Sequence, residues 1–197
     1  MSSFSSTLTP KLLEIATDDD PYLKIVAKEI NEAEIQTTAI QQLVADMIET
    51  MHHAKGIGLA APQIRQSVRI MVFYLPSERD DIHKVGVPLT ILINPTVTPV
   101  DEPTALNGEV KNVDFEGCLS VPGKRGQVAR FNKVLYSGLN EKGEKVERSA
   151  EGWHARLVQH EFDHLNGVLY TELMGEEDRL LTLEAYKELL ATAAAQG

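Results

Sequence analysis

The sequence has a single cysteine, Cys118, among its 197 residues. No disulfide can form within the chain, which excludes the small folds that disulfides staple together and suits a reducing compartment. An isolated cysteine is most often a small buried core residue. A chemical role for Cys118 therefore depends on which other side chains the fold brings to it.

Positive charge is also scarce, because 29 Asp and Glu residues outnumber 19 Lys and Arg residues and the formal net charge is −10. This balance argues against broad nucleic-acid binding, which requires clustered Lys and Arg. No apolar run approaches the length that crosses a membrane. Residues 1–10 lack the apolar core of a secretory signal and the Arg of an organellar one. We therefore expect a cytoplasmic protein with no membrane partner and no sequence-specific nucleic-acid partner.

The composition that is present, 43% hydrophobic and 24% charged residues, is typical of one well-cored domain. Apolar periodicity predicts a long helix over residues 34–54 and a C-terminal helix over residues 176–197, while residues 1–11 are expected to form a loose extension. Strands are predicted at residues 68–75, 90–94 (ending before Pro95), 109–115, 128–139 and 145–148, with a hairpin turn at residues 140–143. This order predicts a single α+β domain of mixed or antiparallel strands over residues 1–197.

Residues 158–167 contain the pattern His-Glu-x-x-His, within a predicted helix that starts near Ser149 or Glu151. Because His160 and His164 are four residues apart, their side chains lie on one helix face and can bind a single ion. Glu161 stands beside them, where a carboxylate can move a proton on a metal-bound water. Asn166 and Gly167 are a good helix end. For this pentapeptide alone, a surface helix with two ordinary histidines is the competing interpretation.

A catalytic metal needs a third ligand. The protease pattern HExxHxxGxxH fails, because Tyr170 stands where its third His belongs. Glu172 and Glu184 are available downstream, as in a zinc endopeptidase. Cys118 is the best soft donor, since a thiolate with two imidazoles leaves a fourth position open for water. Such a set suits Fe(II), Zn(II), Ni(II) or Co(II).

The stretch GIGLAAPQI at residues 56–64 has little side-chain bulk, so its backbone can approach a ligand or another segment closely. It lacks the Gly-Lys-Ser/Thr of a phosphate loop. A tight turn is the simplest interpretation of its two glycines. The amide of Gln63 can donate a hydrogen bond to a developing oxyanion.

Three stretches, GIGLAAPQ at residues 56–63, EGCLS at 116–120 and QHEFDH at 159–164, together resemble the signature of the peptide deformylase family. The resemblance covers residues 12–174. It implies an α+β fold with strands around a central helix that carries the two histidines. It also implies an enzyme, a metal-dependent hydrolase that removes the N-formyl group from N-formylmethionine of newly made polypeptides and releases formate.

Carried over position by position, the resemblance implies that Cys118, His160 and His164 bind the metal, with iron expected in the cell and zinc, nickel or cobalt as substitutes. A metal-bound water would attack the formyl carbon, with Glu161 as the general acid and base. Gln63 and the backbone N–H of Leu119 would bind the oxyanion. The substrate-binding residues implied are Ile57, which lines the methionine pocket, Gly58, Gly117 and Arg125.

The partners implied are N-formylmethionyl nascent peptides, together with a transient ribosome contact. The C-terminal segment departs from relatives that carry a basic tail, since it is rich in acids: Glu176, Glu177, Asp178, Glu184 and Glu188. Docking to the ribosome through a basic tail is therefore not expected.

Two other interpretations stay open at this stage: a zinc endopeptidase that uses a downstream Glu, and a non-catalytic module whose metal is structural. The Cys118→Ala substitution separates the first of these from a deformylase. In a deformylase it should abolish metal binding, and in the peptidase its effect should be mild. Anaerobic metal analysis of the folded variant gives the answer, and retention of a full equivalent of metal would contradict the deformylase ligand set.

Overall fold

The structure, a computed structural model, describes residues 8–80, 82–100 and 111–196. The helices in these ranges are α1 (Thr38–His53), α2 (Gly152–Leu165) and α3 (Leu183–Gln196). The strands are β1 (Gly58–Ala60), β2 (Ile70–Leu75), β3 (Val87–Pro99), β4 (Lys111–Cys118), β5 (Val121–Phe131), β6 (Lys133–Leu139), β7 (Lys145–Glu151) and β8 (Leu180–Thr182). Short 3-10 helices include Pro21–Lys24, Ala61–Ile64, Ser77–Arg79 and Tyr170–Glu172.

The strands form two sheets, one of five strands in the order β1-β2-β3-β6-β7 and one of three in the order β4-β5-β8. Every pair of neighbouring strands in the described residues is antiparallel. The predicted α+β class, with antiparallel strands around a central helix, is confirmed.

The five-stranded sheet is covered by a different helix on each face. Side chains alternate along a strand, so β2 contributes Met71 and Phe73 to the core around α2, and Ile70 and Val72 to the core around α1. Strand β3 alternates in the same way. Because both faces are buried, the sequence of β2 is a continuous apolar run rather than an alternating one. The buried position of α2 holds its site residues against the sheet.

Helix α2 ends where the sequence predicts. Its C-cap is Asn166, and Gly167 has a positive φ of 73°, the left-handed conformation that glycine adopts without strain. Arg69 donates hydrogen bonds to the carbonyl of Leu165 (3.2 Å) and to Asn166 Oδ1 (3.0 Å). The helix end is therefore tied to the segment that leads into β2.

Several predicted boundaries differ from the structure. The C-terminal helix begins at Leu183 rather than at residue 176, because residues 180–182 pair with β5 instead of coiling. Strand β3 continues through Pro95, which lies in a register shift between Ile93 and Thr96 where no regular ladder bond is required of it. Helix α1 starts at Thr38 rather than at residue 34. The stretch 128–139 is divided between β5 and β6, which forms the predicted hairpin with β7.

Some predicted segments lie partly outside the described residues. These are residues 1–7 of the loose extension, residues 109–110 of the strand that becomes β4, and residue 197 of the predicted C-terminal helix. At the end of the predicted extension, the backbone N–H of Lys11 donates to Asp46 Oδ1 at 2.7 Å. None of the helices in the described ranges has the length and apolar character that a bilayer crossing requires.

The end of α2 gives a prediction for folding stability. A Cβ on Gly167 would lie 2.6 Å from the carbonyl oxygen of Lys24, whereas a Cβ on Gly143, at a φ of 79°, meets nothing within 4 Å. Gly143→Ala should cost about 1 kcal/mol for the left-handed backbone alone. Gly167→Ala adds the clash, and should cost roughly 2–4 kcal/mol. Denaturant unfolding of both variants measures the difference, and equal losses would contradict the role given to the Lys24 contact.

Candidate active site

The two histidines of α2 lie side by side in the interior. His160 and His164 have ring centroids 5.0 Å apart and planes at 83°. Both are buried. Tyr170 stacks on His160, with centroids 6.0 Å apart. The one-turn spacing therefore brings two imidazoles to a common point, as the sequence predicts.

Cys118, the last residue of β4, lies beside these imidazoles. Its Sγ is 3.3 Å from His164 Nε2, and the three candidate ligand atoms of Cys118, His160 and His164 all lie within 4.8 Å of one another. Two groups donate to the sulfur: the backbone N–H of Ser120 at 3.4 Å and Nε2 of Gln63 at 3.5 Å. Donors of this kind stabilise a thiolate, the form that binds a metal.

This donor set fits a divalent transition-metal ion. Among the described residues, Cys118, His160 and His164 form the one group of three potential ligands that converges, and a thiolate with two imidazoles suits Fe, Co, Ni or Zn. Glu172, a downstream alternative, is instead held by Lys24 at 2.7 Å and by the N–H of Leu169. The geometry therefore disfavours the endopeptidase ligand set.

A buried carboxylate that the sequence analysis did not single out orients His160. Glu116 Oε2 accepts a hydrogen bond from His160 Nδ1 at 2.8 Å, which directs the other ring nitrogen toward Cys118. Glu116 Oε1 accepts from Arg130 Nε at 2.8 Å and from Arg156 Nη1 at 2.7 Å. Arg130 also pairs with Asp163. Two carboxylates and two guanidiniums therefore balance their charges beside the candidate metal ligands.

The pKa values of the buried acids differ sharply. Burial raises the pKa of Glu116, but hydrogen bonds from Arg130 and His160 outweigh it and hold that pKa well below its usual range. Burial raises the pKa of Glu161 to about 7, against a smaller lowering by His160. The two carboxylates therefore differ in environment: Glu116 stays ionised, and Glu161 exchanges a proton near neutral pH.

Glu161 packs directly on Gly58 of β1. A Cβ at Gly58 would lie 2.1 Å from Glu161 Oε1, so glycine is required there for the carboxylate to reach its place. The other oxygen, Oε2, is buried and has no hydrogen-bond partner among the described residues. A buried acceptor of this kind is suited to binding a group supplied from outside the chain.

The side chain of Gln63 is oriented by a backbone N–H three residues earlier in the chain. Its Oε1 accepts from the N–H of Ala60 at 2.8 Å, which leaves Nε2 directed at Cys118 and at Ser120 Oγ, the latter at 3.1 Å. The Ala61–Ile64 helix ends at Arg65, which adopts the left-handed conformation. Local backbone geometry therefore places an amide N–H donor beside Cys118.

A cavity of about 440 Å³ opens onto these groups. Of the predicted site residues, His164 is buried and does not line it. The predicted residues that do line it are Ile57, Gly58, Gln63, Gly117, Cys118, Leu119, Arg125, His160 and Glu161. The guanidinium of Arg125 packs on Gly117, where a Cβ would meet Nη1 at 2.3 Å. Gly117 is thus needed for the placement of Arg125.

Other residues that no motif singles out also line the cavity. Trp153 and Leu157, from the first turns of α2, line it, as do Leu183, Tyr186 and Leu190 of α3. Helical spacing identifies Leu183, Tyr186 and Leu190 as one apolar face. Only the fold shows that this face covers a cavity.

Comparison with known sequences finds relatives that all belong to one family. A sequence model of the polypeptide deformylase family matches residues 12–180. Peptide deformylase 2 of Bordetella bronchiseptica is 44% identical over 173 residues, which cover 87% of this chain and 90% of the relative. Peptide deformylase 2 of Pseudomonas putida is 42% identical over 151 residues, which cover 77% of this chain and 81% of the relative.

Solved structures give the same result. The Met-Ala-Ser-bound class I type b peptide deformylase from Acinetobacter baumannii superposes with a TM-score of 0.73 at 32% identity, covering 84% of this chain and 100% of that chain. Peptide deformylase from Ehrlichia chaffeensis gives a TM-score of 0.73 at 32% identity, over 84% of this chain and 90% of that chain.

The hydrogen bond between Glu116 and His160 leads to a prediction for metal affinity. Glu116→Gln weakens the acceptor that orients His160, and should lower metal affinity by roughly 10–100-fold. Asp163→Asn removes one negative charge from the same network but does not touch His160, so it should change affinity by less than about threefold. Chelator competition measures both. Equal losses in the two variants would show that charge balance, and not the His160 contact, determines the affinity.

Proposed function

The chain belongs to the peptide deformylase family, whose members remove the N-formyl group from nascent peptides, and we propose that the cavity at Cys118 carries out this reaction. The observation that carries the proposal is the meeting of one sulfur and two imidazoles within 4.8 Å beside the buried carboxylate of Glu161. The family is metal-dependent, and the donor set fits that dependence.

Cys118, His160 and His164 would hold one divalent ion, which we propose is iron in the cell, with zinc, nickel or cobalt able to take its place. When bound, such an ion supplies Lewis-acid polarisation of a carbonyl oxygen and lowers the pKa of a water ligand. The sulfur and the two imidazoles that would bind it are buried and adjacent.

Glu161 is proposed to move the proton. Its carboxylate takes a proton from the attacking water as the oxygen of that water adds to the formyl carbon. The same carboxyl group then passes the proton to the departing amine, so that formate and a free amino terminus result. The contact with Gly58 supports this role, because it fixes the carboxylate at the cavity wall with one oxygen unpartnered.

Gln63 and the backbone N–H of Leu119 are proposed to stabilise the oxyanion that forms on the formyl oxygen. The contact with Ala60 orients the amide of Gln63, and one of its two N–H groups, which now lie at Cys118 and Ser120, would turn to the oxyanion. Loss of one such donor typically lowers the rate by about 10²–10³-fold.

The substrate is proposed to enter with its methionine side chain against Ile57, Trp153 and Leu157, which give the cavity an apolar wall. Gly58, Gly117 and Arg125 are proposed to contact the peptide. The Met-Ala-Ser peptide named for the Acinetobacter baumannii structure is the deformylated product of such a substrate.

The nascent peptide is the expected macromolecular partner, and we place the enzyme in the cytoplasm, where such peptides are made. Contact with the ribosome is proposed to be transient. Helix α3 carries Glu184, Lys187 and Glu188 as its charged residues, so it offers no basic face for tight binding to ribosomal RNA.

The proposed function is tested by formate release from formyl-Met-Ala-Ser, with anaerobic metal analysis of the same sample. The native protein should release formate. Glu161→Gln should keep the metal and lose activity by at least about 10²-fold, because the proton carrier is gone. Glu147→Gln, an exposed substitution on β7, should retain native activity. Normal turnover by Glu161→Gln would show that the role of Glu161 is misassigned.

A further inference from the structure

The mouth of the cavity has a charge opposite to that of the whole protein. The formal net charge is −10, yet the acids that line the cavity, Glu116 and Glu161, are both buried. The lining residues with exposed or half-buried charges are all basic: Lys55, Arg79, Arg125 and Lys187. A cleft lined by one sign of charge concentrates ligands of the other sign.

These cations are not neutralised within the described part of the chain, where none of the four forms an ion pair within 4.0 Å. Two are nevertheless held in place. The guanidinium of Arg79 lies over the ring of Trp153 at 5.0 Å, and that of Arg125 packs on Gly117. Contacts with a ring or a backbone fix the direction of a cation but leave its charge available.

Lys187 is supplied by α3, together with the apolar wall. Leu183, Tyr186 and Leu190 line the same cavity, and the ring of Tyr186 lies 5.1 Å from that of Phe115. Helix α3 begins after residue 180, where the match to the family ends. The two acids nearest to Lys187 in the helix, Glu184 and Glu188, do not line the cavity.

We propose that these four cations, the basic rim of the cavity, select nascent peptides that carry Asp or Glu in the residues following the formylmethionine. This inference rests on the proposed function, because it requires that the peptide residues after the formylmethionine extend out of the cavity past the rim. Carboxylates in that part of the peptide meet Lys55, Arg79, Arg125 and Lys187, whereas Lys or Arg at the same positions meets like charge. Each exposed pair is weak, so the selectivity comes from several cations acting together and is sensitive to salt.

The test compares amidated peptides that differ in one residue, formyl-Met-Ala-Glu and formyl-Met-Ala-Lys, with formyl-Met-Ala-Ser as the reference. At about 0.01 M salt, kcat/KM should favour the Glu peptide over the Lys peptide by about tenfold. At about 1 M salt the ratio should approach one, because the Debye length shrinks to about 3 Å.

Variants assign the effect to the rim. Lys187→Glu should lower the Glu-to-Lys ratio by at least about threefold, mostly through KM, and Arg79→Gln should lower it by a smaller factor. Lys187→Arg should keep the ratio. Lys142→Glu, which changes an exposed residue of the hairpin turn away from the cavity, is the matched control and should also keep it.

Binding of the unformylated peptides Met-Ala-Glu-amide and Met-Ala-Lys-amide, measured by calorimetry, gives a second reading that needs no turnover. If no formylated peptide releases formate, the proposed function fails, and this binding ratio still decides the rim proposal. A ratio near one at low salt, or a ratio that Lys187→Glu and Arg79→Gln leave unchanged, would overturn the proposal. Low-salt inhibition by a short single-stranded RNA without any peptide preference would likewise overturn it, and would assign the rim to nucleic acid.

Discussion

The carboxylate of Glu116 is the interaction on which the rest of the site depends. It lies at the end of β4 and accepts hydrogen bonds from Arg130 of β5 and from Arg156 and His160 of α2. A buried charge is tolerated only when it is paired and hydrogen-bonded, and here two guanidiniums and an imidazole meet that requirement. One side chain thus joins the small sheet to the central helix and fixes the ring that faces Cys118.

This arrangement explains how the candidate metal ligands come together from two distant parts of the chain. The large sheet, covered by α1 on one face and α2 on the other, gives α2 a rigid support. The small sheet then places the sulfur of Cys118 at the end of β4, and Glu116, two residues earlier in that strand, is anchored to the same helix. Because the two sheets fix both α2 and β4, the side chains of the site require little reorganisation when a substrate binds.

Sequence patterns predict the parts of this site that are local. His160 and His164 share a helix, so their proximity follows from periodicity, and Gly167 marks the helix end through its backbone freedom. Cys118 lies 46 positions from His164, and a motif resemblance, rather than spacing, connects them. The pairing of Glu116 with Arg156, 40 positions away, has no local pattern. The paired residues 180–182 and the passage of β3 through Pro95 also depend on tertiary contacts that override local propensity.

The central claim is that one sulfur and two imidazole nitrogens hold the metal and leave room for water. X-ray absorption spectroscopy of the protein, purified anaerobically with its native metal, tests this claim most directly. The account predicts one sulfur scatterer and two imidazole nitrogens, with the remaining ligand exchangeable for an added anion. A metal coordination sphere without sulfur, or one in which a fourth protein side chain is a ligand, would contradict it.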